Sequence, residues 1–507
     1  MDSDKLDAGV LKVAGVVVIG AIMSILDVTV VSVALPTFMS EFQATYATVA
    51  WTMTAYTLAL ATVIPITGWA ADRFGTKRLY LTSLVLFVAG SVLCSMAWDI
   101  GPLIAFRALQ GLGGGMLMPL GMTIMTRAAG PERLGRVMAV LGVPMLLGPI
   151  AGPILGGWLI EAATWHWIFL INVPIGVVAL TFAAIVLPKD RSKPSEAFDF
   201  LGMLLLSPGL ASFLYGVSSI PEAAQEGSVI DPEVLIPAAI GLTLVVTFVV
   251  HALRKDHPLI DLRLFRNRNL TTSVVTISLF IVAFMGAMLL LPSYFLQVRG
   301  EDTLSTGLLM APQGLGAMLT MPIAGRLTDR TGPGKLVLVG IVLIATGLSV
   351  FTQVGADTPY TLLLGALFVM GMGMGCTMMP IMTAALATLH DAAIARGSTL
   401  MNIVQQVGGS IGTAVMSVVL TTLVKGDDIA SAFFAVKQGV LPPEQVPPPV
   451  LAQGPAALAD AFGSTYVLAL SLVLLCIVPA LFLPRRRVTR IDADADKTTE
   501  AVAVALH

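Results

Sequence analysis

An all-helical polytopic membrane protein with fourteen spanning helices is the fold class predicted here, and three observations predict it. Apolar residues make up 56% of the 507, and only 12% are charged, about half the usual soluble share of roughly 25%. Mean hydropathy is +0.88, whereas a soluble protein of this size would carry more charge on its outer face. The apolar residues fall into fourteen runs, each near the roughly 20 residues that a helix needs to cross a hydrocarbon core of about 30 Å.

The first run, about 13–36, follows a charged tip from Met1 to Lys12. It is too long for a signal peptide, and no small-residue cleavage site follows it cleanly. Runs at about 47–71, 79–98, 101–126, 137–161 and 167–188 complete a first set of six. Those at 199–219 and 233–254 form a pair. The second set of six lies at 269–297, 304–325, 336–354, 359–388, 397–424 and 462–484. Charge sets the orientation, because cytoplasmic loops concentrate Lys and Arg. Of the 29 Lys and Arg residues, only Arg299, Lys425 and Lys437 fall in outer loops, and Arg107 lies within a helix. Both termini are therefore expected in the cytoplasm. A different number of spans would scramble this alternation.

The chain repeats itself. Gly68–Arg78 reads GWAADRFGTKR and Gly325–Lys335 reads GRLTDRTGPGK, sharing the frame G-x-x-x-D-R-x-G-x-x-[K/R] at an offset of 257 residues. The same offset sets Leu35-Pro36 near Leu291-Pro292, and Met116–Pro119 resembles Thr377–Pro380. Four units follow: a six-helix bundle over 1–190, an inserted helix pair over 191–262, a second bundle over 263–484 and a short polar tail over 485–507. Within the second bundle, the outer loop 425–461 is rich in proline and has apolar stretches at Ala430–Val436 and Ala456–Phe462. It is expected either to lie on the membrane surface or cap the outer mouth, or to be a tolerated surface insertion. Parallel six-helix repeats about an axis normal to the membrane are a transporter architecture, in which the halves rock about a midplane site.

Several chemistries are excluded. A net charge of -2 points to no nucleic-acid partner. Cys94, Cys376 and Cys476 sit inside apolar runs and make neither a disulfide framework nor a metal cluster. Gly111–Gly115 and Gly371–Gly375 lack the preceding strand and following lysine of a nucleotide site. His257 and Asp261 have an H-x-x-x-D spacing but no nucleophile beside them. No cofactor, metal or enzymatic activity is expected.

What remains is a small set of polar residues inside apolar helices. Asp27 lies about 13 Å from the outer end of its helix and Arg107 about 9 Å from the outer end of its own, at 1.5 Å per residue. Two buried charges at similar depth are costly unless paired or hydrated. Burial favours the neutral form of the acid and a nearby cation favours the ionised form. Changing water access would therefore let Asp27 bind and release a proton, with Arg107 tuning it. A static ion pair or a helix–helix hydrogen bond is the alternative. Gly148, Gly152 and Gly156 share one helix face, where small residues admit a neighbouring helix, and Pro149 and Pro153 loosen the same helix. Intramembrane amides usually face the bundle interior, which brings in Gln110, Gln313, Asn402 and Gln406. With Trp51, Tyr56, Phe284 and Tyr294, they are expected near a cavity lined by soft Met and Phe side chains.

Together these motifs resemble the major facilitator superfamily, in its 14-helix drug:proton antiporter branch. Leu26–Val31 through Ala34-Leu35-Pro36 is similar to that branch's helix 1 signature, and Gly68–Arg78 to the superfamily's loop 2–3 motif. Arg107-Ala108-Leu109-Gln110-Gly111 is similar to the helix 4 motif R-x-x-Q-G, and Gly148–Pro153 through Gly157 to the helix 5 antiporter motif. The resemblance spans essentially the whole chain and implies a major facilitator fold of two six-helix bundles plus an inserted pair. It implies proton coupling at Asp27 and a conformational latch at Gly68, Asp72, Arg73, Gly75 and Arg78, repeated at Asp329 and Arg330. For the latch, ordinary interfacial charge is the alternative. It implies a leak-limiting gate at the helix 5 glycines, against a plain packing face. The function implied is secondary active export of apolar or cationic drug-like molecules in exchange for protons, from a bacterial cell membrane. A dedicated exporter of a lipid, siderophore or other metabolite is one alternative, and a non-transporting receptor or scaffold another. Phe284 stands at the repeat position of Asp27, so a second protonation site there is not expected.

Overall fold

In a bilayer every backbone N–H and C=O must find its partner within the segment, which selects helices. The computed structural model describes residues 7–130, 133–188, 198–226, 231–389, 393–437 and 441–486, while the side chains at 46–47, 143–147, 149–150, 153, 221–222, 225–226 and 303 lie outside it. The first six spans are α1 (Ala8–Glu41), α2 (Tyr46–Phe74), α3 (Thr76–Ser95), α4 (Ile100–Ala129), α5 (Leu134–Ala162), and α6 with α7 (Trp167–Leu170 and Asn172–Val186) as one broken span. The pair α8 (Phe200–Glu226) and α9 (Pro232–Arg254) follows. The remaining helices are α10 (Arg268–Gln297), α11 (Thr303–Thr331), α12 (Pro333–Phe351), α13 (Tyr360–Leu386), α14 (Ile394–Lys425), a short α15 (Asp428–Lys437), and α16 with α17 (Pro448–Leu475 and Ile477–Ala480). Among the described residues, 13 spans have the length and apolarity to cross a membrane. With α5, a helix of 29 residues, the count is fourteen.

Each expected run overlaps one helix. The largest departure is the last, expected over 462–484, whose helix already begins at Pro448. Proline suits a first helical turn, where no N–H is needed, and Leu458, Ala459 and Phe462 then continue a buried face. Segment 425–461 is therefore largely helical. Asp427 caps α15 by accepting from the N–H groups of Ile429 and Ala430, and the Phe433 ring fills the space that Gly454 of α16 leaves open. The basic residues Lys5, Lys189, Arg191, Lys193, Arg487, Arg490 and Lys497 lie outside the described residues.

The repeat is visible as recurring contacts. A methyl on Gly111 of α4 would strike the Tyr56 carbonyl oxygen of α2, and one on Gly371 of α13 the Gln313 carbonyl oxygen of α11. Gly113 abuts Phe87 and Ser83 of α3, while Gly373 abuts Ile344 and Gly340 of α12. Gly115 meets Leu60, and Gly375 meets Ala317. The Gly-rich stretches thus let three helices pack at backbone distance. The loop motif recurs likewise: Gly75 and Gly332 join successive spans at φ +90° and +87°, a region glycine reaches without strain.

The inserted pair breaks this symmetry. α8 lies against both α2 and α14. Its Tyr215 stacks on Trp51 at 5.6 Å between ring centroids, and Phe198, just before α8, packs on Trp69 at 4.4 Å. At the outer end Lys425 Nζ of α14 donates to the Ala224 carbonyl of α8 at 2.8 Å, a favourable place for a cation at a helix C-terminus. At the inner end Asp199 bonds His251 Nε2 of α9 at 2.8 Å and accepts from the N–H groups of Gly202 and Leu259. Burial pushes the Asp199 carboxyl up, but those hydrogen bonds outweigh it and hold the group below the usual carboxylate range.

Gly371→Val tests the helix-packing role of the Gly-rich stretch. Overpacking of this kind costs about 1–3 kcal/mol, so the thermal unfolding midpoint in detergent is expected to fall, with a smaller fall for Gly365→Val, where a methyl meets nothing within 4 Å.

Candidate functional site

Asp27 is held in the outer half of α1 by three donors from two other helices. Its Oδ2 accepts from Arg107 Nη1 at 2.5 Å. Its Oδ1 accepts from Gln110 Nε2 at 2.8 Å and from Asn172 Nδ2 at 3.0 Å. Arg107 also donates from Nη1 to Gln110 Oε1 at 2.7 Å and from Nε to the Thr52 carbonyl at 3.2 Å. Asn172 donates to Ser91 Oγ at 3.0 Å, and Ser91 donates to the Phe169 carbonyl at 2.9 Å. The guanidinium lies over the Tyr56 ring at 4.3 Å from its centroid, within reach of a cation–π attraction. Ser24 and Tyr56 hydroxyls meet at 3.3 Å. Asp27 is 1% exposed, and Arg107 and Gln110 are 0% exposed.

The arrangement suits an ionised carboxylate, because every neighbour presents a donor to it. Local folding explains the convergence. Arg107 and Gln110 stand three residues apart on α4, so they share a face. The broken span places Asn172 in the first turn of α7 just ahead of Pro174, whose missing N–H interrupts the helical ladder. The α5 glycines bring α1 close: a methyl on Gly148 would strike the Ile25 side chain, one on Gly152 would strike Thr29, and Gly156 lies against Val30. These contacts bracket Asp27 within one turn on each side. The side chains of Pro149 and Pro153 lie outside the described residues.

The second repeat has no such cluster. The counterparts of Asp27, Arg107 and Gln110 are Phe284, Leu367 and Met370, all buried, and Phe284 stacks on Phe280 at 5.4 Å between centroids. Asn172 was not foreseen from sequence. Its signal was available, since it is a lone amide inside an apolar run, the property that singled out Gln110.

The loop motif residues sit at the cytoplasmic ends. Asp329 of α11 is bonded across the two halves: its Oδ1 accepts from the Gly135 N–H of α5 at 2.8 Å, and its Oδ2 from Arg136 Nε at 2.9 Å and Arg136 N–H at 3.3 Å. A carboxylate at a helix N-terminus is favoured by the helix dipole. Gly325 faces the Gly135 carbonyl, Arg136 Cα and Ala139, and in the other copy Gly68 faces Ala395 O, Arg396 Cα and Thr399 of α14. The second junction is looser, at 3.2–3.5 Å from a built Cβ against 2.8–3.0 Å in the first. Asp72 pairs with Arg127 of α4 at 3.4 Å. Arg73, Arg78 and Arg330 are exposed, with Arg73 and Arg330 engaged in contacts of their own. Deeper in, Thr123 and Ser398 hydroxyls meet at 2.8 Å, and Asn402 Nδ2 donates to Met122 Sδ at 3.3 Å and to the Ser398 carbonyl at 2.8 Å. The halves are thus closed against each other on the cytoplasmic side.

The residues expected around one cavity are dispersed. Gln110 of α4 and Tyr56 of α2 belong to the Asp27 cluster, the first bonding Asp27 and the second lying under the Arg107 guanidinium and beside the Ser24 hydroxyl. Trp51 is 41% exposed against Tyr215 of α8, drawn there by the docked inserted pair. Tyr294 donates to the Gly355 carbonyl at 2.7 Å and packs on Phe462, an outer-end post within the second half. Gln313 Nε2 points at Met288 Sδ, 3.5 Å away. Asn402 lies at the closed seam, and Gln406 lines a crevice beside α8. Among the described residues no group of three His, Cys, Asp or Glu is placed to hold a metal ion.

A family model described as Major Facilitator Superfamily matches residues 17–413. The "Multidrug resistance protein B homolog" of Mycobacterium tuberculosis (strain H37Rv) is 52% identical over 501 residues, covering 96% of this chain and 92% of that protein. The "Multidrug export protein EmrB" of Escherichia coli (strain K12) is 30% identical over 407 residues, covering 79% and 78%. Among solved structures, the human organic anion transporter MFSD10 (TETRAN) aligns with a TM-score of 0.62 at 15% identity over 92% of this chain and 100% of that one, a likeness of fold.

Removing one member of a buried pair leaves an uncompensated charge and costs about 3–5 kcal/mol. Arg107→Leu is therefore expected to lower the unfolding midpoint in detergent sharply. The double variant Asp27→Asn with Arg107→Leu is expected to recover most of that loss, which a double-mutant cycle on thermal unfolding reads directly.

Proposed function

The chain belongs to the major facilitator superfamily, and we propose that it is a proton-coupled secondary active exporter of apolar or cationic drug-like small molecules. It is a transporter, not an enzyme, and a multi-pass protein of a bacterial cell membrane. One observation supports the coupling: a carboxylate buried inside the apolar run of α1 and met by three donors, in a conformation closed toward the cytoplasm. The drug-export names of the relatives supply the substrate class.

In this reading Asp27 is the coupling acid and Arg107 sets its affinity for the proton. A proton arriving from outside cancels the charge that gathers Arg107, Gln110 and Asn172, loosening α1 from α4 and α7. The halves then rock, and the cytoplasmic ends part. Release of the proton into the cytoplasm restores the ionised cluster as substrate is taken up. Arg107 keeps its proton throughout. Each proton supplies about 2.3 kcal/mol per 100 mV and about 1.4 kcal/mol per pH unit. Together these sustain a solute gradient on the order of a thousandfold.

The latch role falls to Gly68, Asp72, Arg73, Gly75 and Arg78 in one copy and to Asp329 and Arg330 in the other. Breaking the Asp329 contacts frees the first turn of α5, the step that opening requires. Gly148, Gly152 and Gly156 act as the gate by holding α1 and α5 together around the acid. The working units are 1–190 and 263–484, with 191–262 as an added pair.

Two outcomes test this. In proteoliposomes under an imposed pH gradient, Asp27→Asn is expected to lose gradient-driven ethidium movement while keeping its elution profile, with its melting midpoint lowered by the stranded Arg107 charge. Undiminished movement overturns the coupling role. Asp329→Asn is expected to raise maleimide labelling of a cysteine at position 402 from the cytoplasmic side by several-fold, as the closed seam loosens. Unchanged labelling excludes the latch.

A further inference from the structure

The seam that closes the cytoplasmic side of the first half against α14 is polar. Thr123 of α4 meets Ser398 of α14 at 2.8 Å between hydroxyls, and Asn402, one turn further in, donates to the Ser398 carbonyl. Two more hydroxyls stand on the same helices, Thr126 at 5% exposure and Thr399 at 1%. Thr126 lies three residues beyond Thr123, so the two share a face of α4, and Thr399 Oγ1 faces Gly68 of α2. Among the described residues neither hydroxyl oxygen has a hydrogen-bond partner. A buried helical threonine can bond a carbonyl of its own preceding turn, as Thr123 does with Pro119. Thr126 and Thr399 do not, and an unpaired hydroxyl in a low-dielectric interior is costly.

The symmetry mate of this seam is apolar. Gly68 faces Ala395, Arg396 and Thr399 as Gly325 faces Gly135, Arg136 and Ala139, so Thr399 corresponds to Ala139 and Ser398 to Met138. Counted from Gly111 and Gly371, Thr126 corresponds to Leu386. All three mates are buried, and beyond them a methyl on Gly142 would strike the Met321 side chain. Thr328 and Thr383, on that side, each bond a carbonyl of their own helix. The Asp329 contacts therefore close off a seam walled by apolar side chains, whereas its counterpart is lined with hydroxyls.

We propose that, when the cytoplasmic ends part, water enters along the seam of α2 and α4 with α14, where Thr126 and Thr399 bind the first water molecules, while the α5–α11 seam stays dry. In the closed state the two hydroxyls lack a hydrogen bond that entering water supplies, so hydration lowers the free energy of opening on this side. Walls of methionine, leucine and alanine offer water no such bond and shed it by dewetting. A route for the proton follows, and it rests on the export reading above. The proton that leaves the Asp27 carboxyl passes to water and reaches the cytoplasm on the α14 side. Thr126 and Thr399 are positioning residues for that water and do not ionise. The Asp329 contacts set when the ends part, and the hydroxyl seam sets where water goes.

Matched cysteines read the difference without substrate or gradient. Thr399→Cys and Ala139→Cys, each in the full-length chain, are exposed in inside-out membrane vesicles to a membrane-impermeant maleimide. Cys94, Cys376 and Cys476 are buried, and the unsubstituted chain gives the background. Thr399→Cys is expected to label about fivefold faster than Ala139→Cys, the worth of roughly one hydrogen bond. Ser398→Cys is expected to outpace Met138→Cys in the same sense. Equal rates in both pairs, or the reverse order, overturn the water path. Thr126→Val with Thr399→Val replaces each hydroxyl by a methyl at similar volume. The double variant is expected to keep or raise the melting midpoint in detergent and to slow labelling at Ser398→Cys about fivefold. Unchanged labelling overturns the role of the hydroxyls. Should the double variant fail to fold, the two cysteine pairs decide the question alone. A wild-type chain that moves no ethidium under a pH gradient yet labels in the expected order fails the export reading and the proton route, and supports the water path.

Discussion

A carboxylate cannot stay ionised in a low-dielectric interior unless donors surround it, and Asp27 has three. That requirement fixes the relative placement of α1, α4 and α7. Arg107 and Gln110 must share a face of α4, Asn172 must arrive at the start of α7, and the α5 glycines must let α1 come close enough to keep its own turn in register. The Tyr56 ring closes the assembly over the guanidinium. Burying this much charge costs several kcal/mol that only good geometry recovers, so the surrounding helices have little freedom to drift.

The two repeats use one scaffold for different ends. Gly111, Gly113 and Gly115 in α4 find the same neighbours as Gly371, Gly373 and Gly375 in α13, and the loop glycines Gly75 and Gly332 adopt the same positive φ. Chemistry does not follow the symmetry. Where the first half has Asp27, Arg107 and Gln110, the second has Phe284, Leu367 and Met370. The cytoplasmic junctions differ as well, with Gly325 seated more closely on α5 than Gly68 on α14.

The bilayer makes the fold legible. Hydropathy alone located all fourteen spans, because apolar length is what a membrane demands of a helix. The exception was the start of the last span, where prolines that end most helices instead begin this one. The pairing of Asp27 with Arg107 was legible as two lone charges at one depth. Asn172 and Ser91 were harder to see, since a neutral amide or hydroxyl in an apolar run carries no charge to betray a partner. The positions of Trp51 and Tyr294 were not legible at all. They depend on where the inserted pair docks and how the outer ends fold over, and neither is encoded in the periodicity of a single helix.

Among the described residues, the side chains that bond the Asp27 carboxylate all come from the first six helices. The chain is therefore divided into a half constrained by a buried charge cluster and a half of looser tolerance. A substitution near Arg107 strands a charge, whereas one near Leu367 exchanges one apolar surface for another. Apolar variation can accumulate in the second half, residue by residue, with the Asp27 cluster of the first half left intact. With Phe284 where the first repeat has Asp27, the second repeat is the part of the molecule whose apolar surface is free to change.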